Sequence, residues 1–179
     1  LGENERDTKG YAVLKELLDK RRSIRRYNDK ALTSKQLEKL CWAGYGIAKN
    51  GRRTVPSAGA SYPMELYVVW EGHIYHYLPL RNDLEKVETL DSSEQVMIFD
   101  AGTVIVVAAN YDKTTKRYGK RGFRYVHMEA GHIGQNISLQ AIEMGLGTVM
   151  IGAFRDGKVK RILKIDENPL YLIRVGYYD

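Results

Sequence analysis

Three short stretches carry residue types that could do chemistry. Lys20-Arg21-Arg22-Ser23-Ile24-Arg25-Arg26-Tyr27 places five cations and a hydroxyl within eight residues. Planar guanidinium forks match phosphate oxygens bidentately, so the run reads as an anion clamp. The competing reading is a solvated charge run at a helix C-terminus, where cations also offset the macrodipole. Pro56-Ser57-Ala58-Gly59-Ala60-Ser61-Tyr62-Pro63 is a loop of small residues leading into a strand. Little side-chain bulk lets backbone amides approach a flat or phosphorylated ligand, although the loop has neither a P-loop nor a dinucleotide fingerprint and would pass alone for a turn. In Gly145-Leu146-Gly147-Thr148-Val149-Met150-Ile151-Gly152-Ala153-Phe154, glycines bound a strand, and Gly152-Ala153 leave backbone amides uncovered. A planar ring could lie there; so could a close neighbour in the core.

Composition narrows the partners. With 28 Lys plus Arg against 22 Asp plus Glu, the 179 residues carry a net charge of +6, which suits an anionic partner. The single cysteine, Cys41, excludes an intramolecular disulfide framework and a cysteine-based zinc site. It shares an apolar helix face with Leu37 and Leu40, which favours a buried thiol over a nucleophile. His127 and His132 are five residues apart, about 140° around a helix, where zincins need four, so no metal is expected. The longest apolar run, Thr103 to Ala109, is far short of a bilayer span. A cytoplasmic location is expected, although the chain begins at Leu1 rather than methionine and upstream processing stays open.

The elements that must position these stretches follow from periodicity. We expect a loose N-terminal arm over residues 1–9 and one domain over 10–179. A helix from Tyr11 to Lys20 is marked by Leu14, Leu17 and Leu18. A second helix is opened by the Thr33…Gln36 capping box and ends near Gly44 and Gly46. Strands Glu65–Trp70 and His73–Leu78 are joined by Glu71-Gly72, a two-residue hairpin signal. Ser92 or Ser93 is expected to cap a short helix through Phe99, ahead of a buried strand over Thr103–Ala109. Val126, Ala130, Ile133, Ile137 and Ala141 predict a long helix from about Arg124 to Met144, capped by Gly145. Strands Thr148–Phe154 and Leu170–Tyr177 flank a short basic helix, Gly157–Leu163. Helices alternating with strands predict an α+β three-layer domain.

Taken together and in order, Arg21-Arg22-Ser23-Ile24-Arg25, Pro56-Ser57-Ala58, Gly145-Leu146-Gly147, and Pro169-Leu170 leading to Val175-Gly176 resemble the nitroreductase-like flavoprotein family. The resemblance spans roughly Leu14 to Tyr177. It implies a three-layer nitroreductase-like sandwich with a central, mostly antiparallel sheet flanked by helices, built as an intertwined homodimer with FMN at the interface. It also implies an FMN-dependent oxidoreductase passing two electrons from NAD(P)H to an electron-poor acceptor such as a nitroaromatic or quinone. On this resemblance Arg21, Arg22, Ser23 and Arg25 would hold the phosphate, ribityl chain and N1/O2 edge. Pro56, Ser57 and Ala58 would reach the flavin from the partner chain, and Ile151, Gly152 and Ala153 would lie near N5/O4. Tyr62 and Tyr118 are candidates for the substrate side, and no catalytic residue is assigned. A cation near N1/O2 would stabilise the anionic reduced ring, since a unit charge pair at 4 Å is worth about 4 kcal/mol at an effective dielectric near 20.

Within the family, Pro56–Pro63 followed by Glu65-Leu66-Tyr67, and Tyr118-Gly119 through Glu129-Ala130-Gly131-His132, look most like the branch containing peptide azoline dehydrogenases. That branch places a Lys-Tyr pair before the glycine, where this chain has Arg117-Tyr118. A guanidinium is a poor general base, and Lys116 stands one residue away. Many family members continue past the last strand into a basic segment that completes the phosphate site. The sequence as read runs to Asp179, and on the resemblance Arg21, Arg22 and Arg25 are expected to carry more of that task, with Arg174 as a further candidate. The alternative class is a basic nucleic-acid-binding module, suggested by Lys113, Lys116, Arg117, Lys120, Arg121 and Arg124 interleaved with Tyr118 and Phe123. No helix-turn-helix, RNP or zinc-finger pattern accompanies these residues, so it ranks below the flavoprotein.

Overall fold

The apolar run Thr103–Ala109 forms a strand whose side chains are buried alternately on two faces, and the domain is layered around it. The computed structural model describes residues 5–90 and 102–179, with side chains from residue 13 onward. The helix expected to begin at Ser92 or Ser93 lies outside the described residues. Among the described residues, five α-helices run over Glu5–Lys20 (α1), Ser34–Tyr45 (α2), Asp112–Tyr118 (α3), Arg121–Glu143 (α4) and Asp156–Leu163 (α5). Six strands run over Met64–Trp70 (β1), His73–Leu78 (β2), Asp83–Thr89 (β3), Thr103–Ala109 (β4), Gly147–Ile151 (β5) and Asn168–Gly176 (β6). They form one sheet, ordered β3-β2-β1-β4-β6-β5, in which every neighbouring pair is antiparallel.

One face of this sheet, with Met64, Leu66, Val68, Ile105 and Val107, packs on Leu37, Leu40 and Tyr45 of α2 and Ile133 and Ile137 of α4. The other face, with Tyr67, Val69, Val104 and Val106, packs on Val159, Ile162 and Leu163 of α5. The three layers expected from the sequence are therefore present. Cys41 is buried in the first cluster, and burial pushes its thiol pKa up, so the thiol stays protonated and inert.

Local chemistry explains the boundaries. Thr33 and Gln36 form the capping box of α2 reciprocally. Glu71 and Gly72 both take positive φ, +48° and +75°, the left-handed pair that a tight two-residue hairpin needs to match strand twist. Pro169 lies in a central strand, which is tolerated because it falls where the β4–β6 register shifts between Val107 and Ala108.

The structure departs from the sequence expectations in several places. Helix α1 starts at Glu5, so its first turns lie inside the stretch expected to be a loose arm. Strand β3 is not among the expected elements, because it is an edge strand with mostly exposed residues and no apolar alternation. Helix α3 shows in the sequence only as a basic stretch, since Thr114 is its sole buried residue. Strand β5 ends at Ile151, which places Gly152 and Ala153 in the following loop.

Helix α2 approaches α4 closely at Gly44, where a β-carbon would come within 2.8 Å of the Ile137 side chain. Ile137→Ala should therefore open a void at the helix–helix–sheet junction and cost about 2–5 kcal/mol, read as a lower urea midpoint at unchanged m-value. A loss under about 1 kcal/mol would show that this junction is not where the core is held.

Candidate functional site

The arginine run follows the C-terminus of α1 and lies along the open edge of β5. Ser23 makes a parallel bridge to Thr148, and the Ile24 amide donates to the Thr148 carbonyl at 2.8 Å. The run continues across β6, where the Asn28 amide donates to the Tyr177 carbonyl at 2.9 Å and the Tyr27 ring packs on Gly176. This threading buries Ile24, whose side chain sits so close to Gly147 that a β-carbon there would come within 2.7 Å of it. Alternation turns Ser23 and Arg25 away from the side that Ile24 buries, and Arg22 and Arg26 lie outside that packing as well. All are exposed, as is Arg21, and among the described residues none of these arginines is ion-paired with a carboxylate. A hollow of about 370 Å³ lies between this run and Tyr178.

Arg174 faces elsewhere. Its guanidinium stacks at 5.2 Å on the Tyr27 ring and borders a second hollow, beside Lys30 and Trp70. Burial raises the Tyr27 hydroxyl pKa to about 12, against the lowering influence of Arg174 and Arg25. At neutral pH this tyrosine is a donor, bonded to the Ile24 carbonyl at 2.5 Å.

At the other end of β5, Gly152 and Ala153 are exposed, and Ile151 is half-buried. A β-carbon on Gly152 would meet only the Tyr171 ring, at 3.9 Å, so this backbone is open on its outer side. Arg22, Ser23, Arg25, Ile151, Gly152 and Ala153 therefore share one edge of the sheet, set against the C-terminal half of α4 by a 3.1 Å hydrogen bond between the Ser138 and Thr148 hydroxyls.

Pro56, Ser57 and Ala58 belong to a second cluster. The loop is hung from the C-terminus of α2, where the Thr54 amide donates to the Gly46 carbonyl at 3.0 Å and Asn136 of α4 donates to the carbonyls of Ala43 and Thr54. The chain then makes a short 3₁₀ turn over Ala58–Ala60 in which Gly59, Ala60 and, just beyond it, Tyr62 have positive φ, +59°, +51° and +45°. For Ala60 and Tyr62 this conformation is unfavourable by roughly 1–2 kcal/mol each, and the surroundings hold it. The Tyr62 amide donates to the Ser57 hydroxyl at 3.1 Å, and Ser57 is among the groups that favour the charged form of Glu129 on α4.

Glu129 is the functional-site candidate that sequence reading did not pick out for the site. It is 2% exposed and accepts a hydrogen bond from the Tyr45 hydroxyl at 2.9 Å. That hydroxyl also receives the Met64 amide at 3.3 Å, and Arg53 stacks over the Tyr45 and Tyr62 rings at 4.7 and 5.5 Å. The signal was legible: Glu129 lies three residues after Val126 and four before Ile133, which places a carboxylate on the apolar stripe of the long helix. The loop and its fold-back partners come from separate elements, which no local pattern connects.

Tyr118 joins this second cluster. A β-carbon on Gly59 would lie 2.6 Å from the Tyr118 hydroxyl and 2.9 Å from Arg117 Nη1, so the C-terminus of α3 rests on the turn. Ser61 and Thr114 tie α3 down through hydroxyls 2.8 Å apart, and Tyr118 meets Tyr125 of α4 edge-on at 5.2 Å. His127 bonds the Tyr111 hydroxyl at 2.7 Å.

The two clusters sit at different levels of α4. Glu129 and Ser138 are nine residues apart, about 13 Å along the helix axis. One cluster is cationic with open backbone, the other a turn of small residues beside two tyrosines.

Residues 18–177 match the model of the nitroreductase family. The chain is 45% identical to a protein of Methanocaldococcus jannaschii named "Putative nitroreductase MJ1384", over 91% of this chain and 90% of that protein. It is 27% identical to the microcin B17-processing protein McbC of Escherichia coli, over 82% of this chain and 62% of that protein. Among solved structures it resembles the E. coli microcin synthetase McbBCD complex, with a TM-score of 0.75 and 25% identity over 90% of this chain and 72% of that one. A structure of a "putative nitroreductase" from Ralstonia eutropha shares the fold, with a TM-score of 0.82 at 24% identity over 93% and 83% of the two chains.

Burial lifts the Glu129 carboxyl above its ordinary range, against the lowering effect of Ser57, Tyr45 and Arg53. Between the unfolded value of about 4.3 and the raised native value, the folded chain binds more protons than the unfolded chain, so stability falls as pH rises through that window and then levels off. Glu129→Gln has no proton to lose. Its melting temperature relative to wild type should rise with pH from 4 to 8, and a difference that stays flat would mean that Glu129 ionises as in the unfolded chain.

Proposed function

Because the chain belongs to the nitroreductase family, an oxidoreductase family, we propose that it is an FMN-dependent enzyme that takes two electrons from NAD(P)H and gives them to an electron-poor acceptor such as a nitroaromatic or quinone. The observation that carries this reading is the edge of β5, where exposed arginines without carboxylate partners line up with exposed, unshielded backbone at Gly152 and Ala153. Exposed cations held at a fixed edge fit a phosphate monoester, and uncovered backbone fits the flat face of a ring system. FMN when bound supplies the hydride chemistry.

The chain's own residues bind and orient. Arg21, Arg22 and Arg25, with the Ser23 hydroxyl, would hold the phosphate and ribityl oxygens. Ile151, Gly152 and Ala153 would present backbone groups to the N5/O4 side. Pro56, Ser57 and Ala58 would close the site from a second copy of the chain, a homodimer being the arrangement that brings the two clusters together. The axial separation of the two clusters supports that arrangement, as does the exposure of Val13, Leu14, Leu18 and Trp42 on α1 and α2. Tyr62 and Tyr118 would face the acceptor. Oxidation of a peptide azoline is a second reading, favoured by the placement of Arg117 and Tyr118 on the Gly59 turn. In that reading the Tyr118 hydroxyl would be the group nearest the substrate, with a cation that cannot act as a base beside it.

The purified protein, reconstituted with FMN and desalted, should keep visible flavin bands that bleach on anaerobic addition of NADH or NADPH. It should sediment at twice 20.5 kDa. Arg21→Ala and Arg25→Ala should each weaken FMN binding roughly 10–100-fold, the loss expected for one charge-assisted contact. Equal flavin occupancy in wild type and both variants would remove the clamp assignment.

A further inference from the structure

A second group of cations, distinct from the arginine run at β5, surrounds the junction of α3 and α4. Lys116, Arg117, Lys120, Arg121 and Arg124 fall within nine residues. All are exposed, and among the described residues none is ion-paired with a carboxylate. Lys116 and Arg117 close α3, where cations complement the helix dipole, but Lys120, Arg121 and Arg124 crowd the start of α4, whose first turn holds no acidic residue. Cations at that end oppose the dipole and repel one another, so helix stability does not account for them.

Their surroundings are concave and mixed in character. Lys120, Arg121, Phe123, Arg124, His127 and Met128 line an open hollow of about 750 Å³. Phe123 and Met128 are 46% and 54% exposed, and the Phe123 ring packs on Tyr111 with centroids 4.8 Å apart. An apolar floor beside guanidinium forks suits a molecule with a flat base and an anionic phosphate. The hollow also adjoins the second cluster: Arg121 and Tyr125 are neighbours one turn apart on α4, and Tyr125 contacts Tyr118, which rests on Gly59.

We propose that Arg121 and Arg124, with Lys120, bind the 2′-phosphate of a reduced nicotinamide dinucleotide whose adenine lies on Phe123 and Met128, making NADPH the preferred electron donor. The proposal rests on the oxidoreductase reading above and adds the donor's identity and the place of its phosphate. Electrostatic contact with a dianionic phosphate explains why the cations are left without carboxylate partners. It also predicts that the preference weakens as salt rises, because exposed charges are screened beyond about 8 Å at physiological ionic strength.

Calorimetric titration of the purified full chain with adenosine 2′,5′-bisphosphate tests this without any flavin chemistry. Arg121→Gln/Arg124→Gln should weaken binding at least tenfold while leaving the melting temperature within a degree or two, since both side chains are exposed. On the FMN-loaded protein, the ratio of kcat/KM for NADPH over NADH should fall by a similar factor, through the NADPH arm alone. Unchanged bisphosphate affinity in the double variant would overturn the proposal. Equal binding by inorganic phosphate, or binding of oligonucleotides in place of the bisphosphate, would also overturn it. If the bisphosphate binds as expected but neither dinucleotide reduces bound FMN, the reading of NAD(P)H as electron donor fails while the phosphate site stands.

Discussion

Burial of the long helix α4 is the constraint on which the rest of the structure depends. Its apolar stripe lies against both α2 and the sheet, and glycines permit the approach: Gly44 of α2 clears Ile137, while Gly134 of α4 brings the Met150 sulfur of β5 to 3.1 Å of where a β-carbon would stand. Interiors pack at crystal-like density, so these contacts leave α4 almost no freedom to slide. Every candidate site residue is referred to that helix. Ser138 fixes β5 and, through Thr148, the edge on which Ser23 is threaded. Asn136 holds the loop that leads to Pro56, and Glu129 bonds Tyr45, whose hydroxyl receives the Met64 amide beyond the turn.

The same scaffold separates two uses of charge. Inside, Glu129 is surrounded by donors, because a buried carboxylate without them would be prohibitively unfavourable. Beside it lies a turn that has two non-glycine residues in left-handed conformation, strain that persists only where the surroundings over-determine it, here through the Tyr62–Ser57 and Ser61–Thr114 hydrogen bonds. Outside, two sets of cations are displayed without carboxylate partners among the described residues. Where the protein uses charge for its own cohesion it pairs it, as at Glu65, which accepts from Lys113 at 2.9 Å and lies 3.1 Å from His76. Burial alone would raise that carboxyl, but the two hydrogen bonds hold it below the ordinary range. The cations at Arg21–Arg26 and at Lys116–Arg124, without carboxylate partners among the described residues, contribute no such pairing to stability.

Much of this was legible in the chain itself. The capping box of α2, the Glu71-Gly72 hairpin, the buried strand Thr103–Ala109 and the periodic stripe of α4 are local patterns with local causes, so sequence alone determined them. Family membership was legible for a related reason: motifs that are weak singly become specific in order. Strand β3 and helix α3 were not legible, because an edge strand and a helix with one buried residue bury too little to impose a period. The tertiary structure also set helix α1 back to Glu5 and released Gly152 and Ala153 from the strand, boundaries decided by backbone hydrogen bonding rather than by residue type.

For the site, residue types named the arginine run, the small-residue loop and the glycine-bounded strand, while only the tertiary structure decided what each of them touches. It joined the arginine run to the β5 edge through the Ser23–Thr148 bridge, and it turned Arg174 away onto Tyr27. It set Arg117 and Tyr118 over Gly59, and it assembled Tyr45, Ser57 and Glu129 from three separate elements of the chain. The physical reason is the range of the interactions involved. Helix periods, caps and turns are settled by neighbours within a few residues, whereas a hydrogen bond such as that of Tyr45 to Glu129, 84 positions apart in the chain, exists only after the core has packed.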